Sequence, residues 1–130
     1  ELLSSYIIAE TMKNRGLNAV RKNSQELVVT NSNFTKADVN YSLTNANIKD
    51  YFNNAKQSIS ILPGFIAKSQ YGEITTLGRG GSDFTAAIVA AALKVKRLEI
   101  IITYIAVQNL DWEELLLGRF HASVLLATIR

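Results

Sequence analysis

The stretch TTLGRGGSDFTAAIVAAA, Thr75 to Ala92, sets a glycine-rich turn, one arginine and the start of an apolar helix side by side. Gly78, Gly80 and Gly81 remove the β-carbons that would hold a ligand off the backbone, and they permit positive φ. Ser82 is expected to cap a helix over Asp83 to Lys94, with free N–H groups at the positive end of its dipole. A carboxylate or phosphate there would meet backbone donors and a bidentate partner in Arg79. The same glycines could also form a plain strand-to-helix turn, so the sequence around them has to decide.

Working outward, Ile74 to Leu77 reads as a strand returning from a hairpin tip at Gly72, with Phe65 to Lys68 as its partner. Ser58 to Leu62 is a further short strand, punctuated by Pro63-Gly64. Ile48, Tyr51, Phe52 and Ala55 fall at i, i+3, i+4 and i+7, which predicts an amphipathic helix from a Thr44 cap to about Lys56. Asn31 to Tyr41 carries three asparagines and no sustained period, so it reads as a loop. Asn18 to Lys22 and Glu26 to Thr30 are strand material, with Val20, Val28 and Val29 as core positions. Leu2, Leu3, Tyr6, Ile7 and Met12 recur near helical spacing, predicting a helix over 2–14 that Gly16 closes.

Beyond the alanine-rich helix, Arg97 to Thr103 has the composition of a strand buried in a parallel sheet. Asp111 to Ile129 reads as a final helix, with Asp111 as cap, Glu113 and Glu114 in its first turn and Gly118 as a weak point. Helices alternating with short strands argue for a layered α/β fold.

Composition sets outer limits. A chain of 130 residues fits one domain, and 48% hydrophobic with 19% charged residues is ordinary for a globular protein. A formal charge of +3 gives no argument for a nucleic-acid partner. There is no cysteine, which excludes disulfides, thiolate catalysis and cysteine-based zinc sites. Leu2 to Ala9 lacks a basic leader and is broken by Ser4 and Ser5, so it does not read as a signal peptide. No apolar run reaches the ~18 residues of a membrane span. His121 stands at no metal-binding spacing and reads as a surface or packing residue, and Trp112 as a core anchor.

The full string TTLGRGGSDFTAA resembles the substrate loop of aspartate kinases in the amino-acid kinase family. Glu1-Leu2-Leu3-Ser4-Ser5 is similar to the segment after the family's Gly-Glu pair, TNSNFTKA (Thr30 to Ala37) to its polar loop, and LPGFIA (Leu62 to Ala67) to the strand and turn before the hairpin. Roughly the first hundred residues follow that order. The resemblance implies a three-layer α/β/α sandwich with a mainly parallel sheet. It implies a cytoplasmic enzyme that takes L-aspartate and ATP with Mg²⁺. The small charge and the lack of an apolar span argue for neither nucleic acid nor membrane as partner, and the alanine-rich helix and truncated edges predict a homodimer by leaving apolar surface uncovered. Arg79 would clamp a substrate carboxylate, and Gly80, Gly81 and Ser82 would donate to it. Glu1 and Asp83 would face the ammonium group. Read without the resemblance, Glu1 is a terminal charge and Asp83 a first-turn helix residue.

The likeness fades after Ile100. The family's Trp-Thr-Asp-Val-Asp-Gly and Asp-Pro-Arg segments are replaced by Ile101-Ile102-Thr103-Tyr104-Ile105-Ala106, and only faint matches follow at Trp112 to Glu114 and Phe120 to Leu125. No Lys-Phe-Gly-Gly-Thr segment is present. The expectation is a partial domain over 1–130, aligned over 1–100 and divergent over 101–130. It would carry a substrate half-site and be nearly silent in catalysis. Two alternatives stand beside it: a kinase for glutamate or acetylglutamate, which fits the Arg79 to Asp83 string less well, and a degenerate domain that binds a carboxylate or associates with itself.

Overall fold

The computed structural model describes residues 1–100. In chain order the elements are α1 (Leu2–Asn14), β1 (Ala19–Arg21), a single 3₁₀ turn (Ser24–Glu26), β2 (Val29–Thr30), α2 (Tyr41–Asn54), β3 (Ile59–Ile61), β4 (Ile66–Ser69), β5 (Ile74–Thr76) and α3 (Gly81–Leu93). The fold is mixed α/β with parallel strands, as the alternation of elements predicts. Strand β1 pairs in parallel with β3, and β2 with β4, while β4 and β5 form the antiparallel hairpin. Gly72 turns that hairpin at φ +91°.

Side-chain alternation places helices on both faces of the β1/β3 pair. Ala19 is in register with Ile59 and Arg21 with Ile61, so these four side chains share one face, and Val20 and Ser60 share the other. Arg21 Nε donates to Ser5 Oγ of α1 at 2.9 Å. Ser60 Oγ meets the Tyr51 hydroxyl of α2 at 2.9 Å. Helix α1 therefore covers the first face and α2 the second.

The main core lies on the α2 side. Leu27, Val28, Ile48, Leu62, Ala67, Leu77, Ile88, Val89 and Ala92 form one buried cluster, with Tyr51 and Phe52 packed against it. The alanines that make α3 smooth let it sit close to α2, and Ala86 and Ala92 are buried. Helix α1 packs differently: small Ser5 and Ala9 face inward, while Leu3 is 71% and Tyr6 56% exposed.

Several boundaries differ from the sequence reading. Asn40, not Thr44, caps α2, its side chain accepting the Leu43 N–H at 3.2 Å. Thr44 is fully buried one turn later, where its hydroxyl accepts the Val29 N–H at 3.0 Å. It ties the helix to β2, a long-range role that local periodicity does not encode. Glu26 belongs to the 3₁₀ turn, leaving only two residues to β2. Residues 97–100 have no regular structure, and Leu98 and Ile100 are exposed. The rest of the strand expected over Arg97 to Thr103, the helix over Asp111 to Ile129, Trp112 and His121 lie outside the described residues.

Candidate functional site

The glycine-rich turn joins β5 to α3. Gly78 and Gly80 both adopt positive φ, +79° and +72°, and Gly81 N–H closes the turn on the Gly78 carbonyl at 3.0 Å. Helix α3 starts at Gly81, with left-handed Gly80 as its N-cap and no side chain satisfying its first turn. This corrects the expected cap at Ser82. The left-handed residue ends the loop earlier, so Ser82 becomes the second helical residue and its hydroxyl is released from capping. The N–H groups of Ser82 and Asp83 donate to no acceptor among the described residues.

Gly81 is required by packing rather than by dihedral. A β-carbon there would stand 2.8 Å from Phe65 Cδ2 and 3.2 Å from Leu77 Cβ. The opposite wall makes the same demand, since a β-carbon on Gly64 would come within 2.7 Å of Ser82 Cα. The Pro63-Gly64-Phe65 turn and the start of α3 thus touch backbone to backbone. Phe65 has φ +70°, rare for a bulky residue. Its N–H donates to Thr85 Oγ1 at 3.1 Å, the Thr85 hydroxyl donates to the Gly81 carbonyl at 2.7 Å, and the Phe65 carbonyl accepts the Leu77 N–H at 3.0 Å. These bonds offset the strained Phe65 backbone and fix the mouth of the turn.

Two further elements reach the turn. Glu1, eighty-one positions away in sequence, accepts a 2.8 Å hydrogen bond from Ser82 Oγ on its Oε1. Its carbonyl accepts the Ser5 N–H at 3.0 Å, which holds Glu1 at the start of α1. On the other side the 31–38 loop is fastened to β5. Thr76 N–H and Thr76 Oγ1 both donate to the Phe34 carbonyl, at 3.0 and 2.8 Å, and Ala37 N–H donates to the Thr76 carbonyl at 2.9 Å.

The six residues singled out from the sequence therefore surround one helix start. Gly80, Gly81, Ser82 and Asp83 form it, Arg79 stands exposed one residue before it, and the structure brings Glu1 to Ser82. Arg79 enters no ion pair among the described residues. Open N–H donors and a guanidinium suit an anionic group; the Glu1 and Asp83 carboxylates suit a cationic one. The composition of the site fits a zwitterion. In the sequence Pro63-Gly64 reads as punctuation, and Thr85 is one polar residue within a helical run. Neither had a local signal, because each acts through a contact distant in sequence.

A cleft of about 460 Å³ lies elsewhere, lined in part by Lys22, Glu26, Asp50, Tyr51 and Lys56. Two of its charges are already paired, Lys22 with Glu26, and Lys22 also lies 5.2 Å over the Tyr51 ring. The glycine-rich turn has unmet donors and is the better site on chemistry.

Residues 2–104 match the amino acid kinase family. The chain belongs to this family. Among relatives, the lysine-sensitive aspartokinase 3 of Escherichia coli is 33% identical over 101 residues, covering 77% of this chain and 22% of that protein. The aspartokinase of Rickettsia felis is 34% identical over 101 residues, with 77% and 24% covered. The crystal structure of E. coli aspartokinase III in complex with aspartate and ADP superposes with a TM-score of 0.67 at 32% identity, covering 75% of this chain and 22% of that one. This amino acid kinase chain thus spans less than a quarter of the length of those relatives.

Proposed function

We propose that the chain is the aspartate-binding part of an aspartate kinase, an enzyme that phosphorylates the β-carboxylate of L-aspartate with ATP, in the first step of lysine, threonine and methionine synthesis. The observation that carries this reading is the Glu1–Ser82 contact at the uncapped start of α3, beside Arg79. An amino acid carries both charges, and this site offers a partner for each. Arg79 takes a carboxylate, the Ser82 and Asp83 N–H groups share it, and Glu1 with Asp83 holds the ammonium. Positioning and charge neutralisation are the main work of a phosphoryl-transfer enzyme, so a half-site of this kind is a functional unit.

The E. coli relative was crystallised with aspartate and ADP. Mg²⁺-ATP supplies the transferred phosphoryl group. Among the described residues no group of three or more His, Cys, Asp or Glu side chains could by itself hold a metal ion. We assign them no step at the nucleotide and expect almost no turnover from the 130-residue chain alone. A normal ATP-dependent rate from this chain would overturn that expectation.

Family membership supports a cytoplasmic enzyme, and no helix among the described residues is long and apolar enough to cross a membrane. The apolar stripe Leu2, Leu3, Tyr6 and Ile7 on the outer side of α1 supports a homodimer. A monodisperse monomer in sedimentation analysis would remove that assignment. The same stripe also supports a second reading, a non-catalytic domain that self-associates.

The deciding test is calorimetric titration with L-aspartate, with and without Mg²⁺-ATP, of the chain and of Arg79→Ala. Saturable binding that weakens at least about tenfold in the variant is expected, from loss of a charged hydrogen-bond donor. A preference for L-glutamate would reassign the substrate. Absence of binding combined with concentration-dependent association would favour the self-associating domain.

A further inference from the structure

The 31–38 loop is built with more care than a connection between β2 and α2 requires. Asn31 closes it at the base: its N–H donates to the Asp38 carbonyl at 3.0 Å, its Nδ2 to Asp38 Oδ2 at 2.8 Å, and its Oδ1 accepts the Asn33 and Asp38 N–H groups at 3.2 and 3.1 Å. Ser32 Oγ donates to Glu73 Oε2 at 2.6 Å, fastening one flank to the hairpin. Thr76 holds Phe34 and Ala37. The effect of these ties is to seat the middle of the loop on the glycine turn. A β-carbon at Gly78 would stand 3.4 Å from both Lys36 Cγ and the Thr35 carbonyl oxygen. The Lys36 stem therefore lies beside Gly78, at van der Waals distance from where a side chain would start, one residue from Arg79.

Lys36 is exposed and enters no ion pair among the described residues. A lysine that buries its stem against a backbone keeps its ammonium in solvent near the point of contact. That point adjoins the anion-binding helix start, and nothing else among the contacts of this loop uses the charge.

We propose that Lys36 is a second cationic contact of this site, binding an anionic oxygen group of the ligand alongside Arg79. The inference rests on the proposed aspartate site and deepens it. A carboxylate of the amino acid and a phosphoryl oxygen share the required chemistry, and both are present in an acyl-phosphate-forming reaction. The Glu73 tie makes Ser32 and Glu73 positioning residues for Lys36.

The test uses the whole chain and four proteins: wild type, Lys36→Met, Lys36→Arg and Arg79→Ala. L-aspartate and inorganic phosphate are titrated separately at two salt concentrations. Lys36→Met should weaken binding of one of the two ligands about five- to tenfold at low salt, less at high salt, with Lys36→Arg retaining it. The ligand that weakens identifies which group Lys36 meets. Acetylation followed by mass spectrometry gives an independent readout: ligand should protect Lys36 and leave exposed Lys68 on β4 unprotected. If wild type binds aspartate, Arg79→Ala loses it, and Lys36→Met changes neither affinity nor protection, the Lys36 assignment falls and the aspartate site stands. If wild type binds neither ligand, the aspartate site itself fails and this inference with it.

Discussion

Helices α2 and α3 face the same problem at their first turn and solve it in opposite ways. Both begin with backbone N–H groups that have no intrahelical partner. At α2 the chain places Asn40, whose side chain accepts the Leu43 N–H, and Thr44 then pins the helix to β2. At α3 it places Gly80, which has no side chain to accept the first-turn N–H groups, and surrounds the open turn with Arg79, Glu1 and the Gly64 backbone. The α2 start is closed and spends its donors on stability. The α3 start is held rigid by packing from outside and keeps its donors for something else.

The contrast is most sharply challenged by adding one methyl group to the packing around α3. Gly64→Ala or Gly81→Ala would force a β-carbon to within 2.7 or 2.8 Å of its neighbours. Each should cost about 2–3 kcal/mol in urea denaturation, within the usual range for overpacking. A neutral result would mean that the turn is not held by close approach. Arg79→Ala should do the reverse: a change in stability below about 0.5 kcal/mol, as usual for a surface substitution, with the loss of aspartate affinity already described. Destabilisation without loss of binding would make Arg79 a structural residue.

Asn40→Ala tests the closed helix start. It should cost about 1 kcal/mol, the ordinary value for a lost N-cap, and leave ligand affinity unchanged. Grafting the α2 solution onto α3 is the complementary experiment. Gly80→Asn supplies a capping side chain that tolerates the left-handed region, and a β-carbon there meets nothing within 4 Å. Stability should change by less than about 1 kcal/mol, while affinity for an anionic ligand falls, as measured by the same titrations.

The smallest expected effect concerns Glu73. Hydrogen bonds from Ser32 and then Ser69 hold its carboxyl below the ordinary value of 4.5. A carboxylate whose folded value is depressed contributes stability above its unfolded value, and that contribution is lost as pH falls through the folded value. Amide protection over residues 32–37, relative to the intrinsic exchange rate, should therefore fall below about pH 4.5, before α2 opens, and Glu73→Gln should abolish the difference. Uniform acid exchange across both regions would remove Glu73 as the anchor of the loop.

Much of this was legible in the sequence because it is local. The helix expected over 2–14 matches α1 as Leu2–Asn14, and the hairpin about Gly72 forms as the glycine and flanking strands predict. The glycine turn before α3 is where the string placed it. What escaped local reading was decided across the chain. Asn40 and Thr44 are both good capping residues, and only the position of Val29 assigns one to the cap and the other to a buried strand contact. Ser82 and Gly80 compete for the start of α3 in the same way, and the Phe65 and Gly64 backbones decide it. Glu1 was singled out by resemblance alone; its spacing from Ser82 carries no periodic signal.

The junction of Gly64 with Ser82 has one more consequence. Most packed contacts are cushioned by side chains that can change rotamer when their neighbours shift. Here the Gly64 side has no side chain and the Ser82 side presents its main chain, so the contact is a hard stop. The start of α3 cannot press farther into the Pro63-Gly64 turn, and the Phe65–Thr85 hydrogen bond ties it there. The resting position of this mouth is therefore already its closed limit.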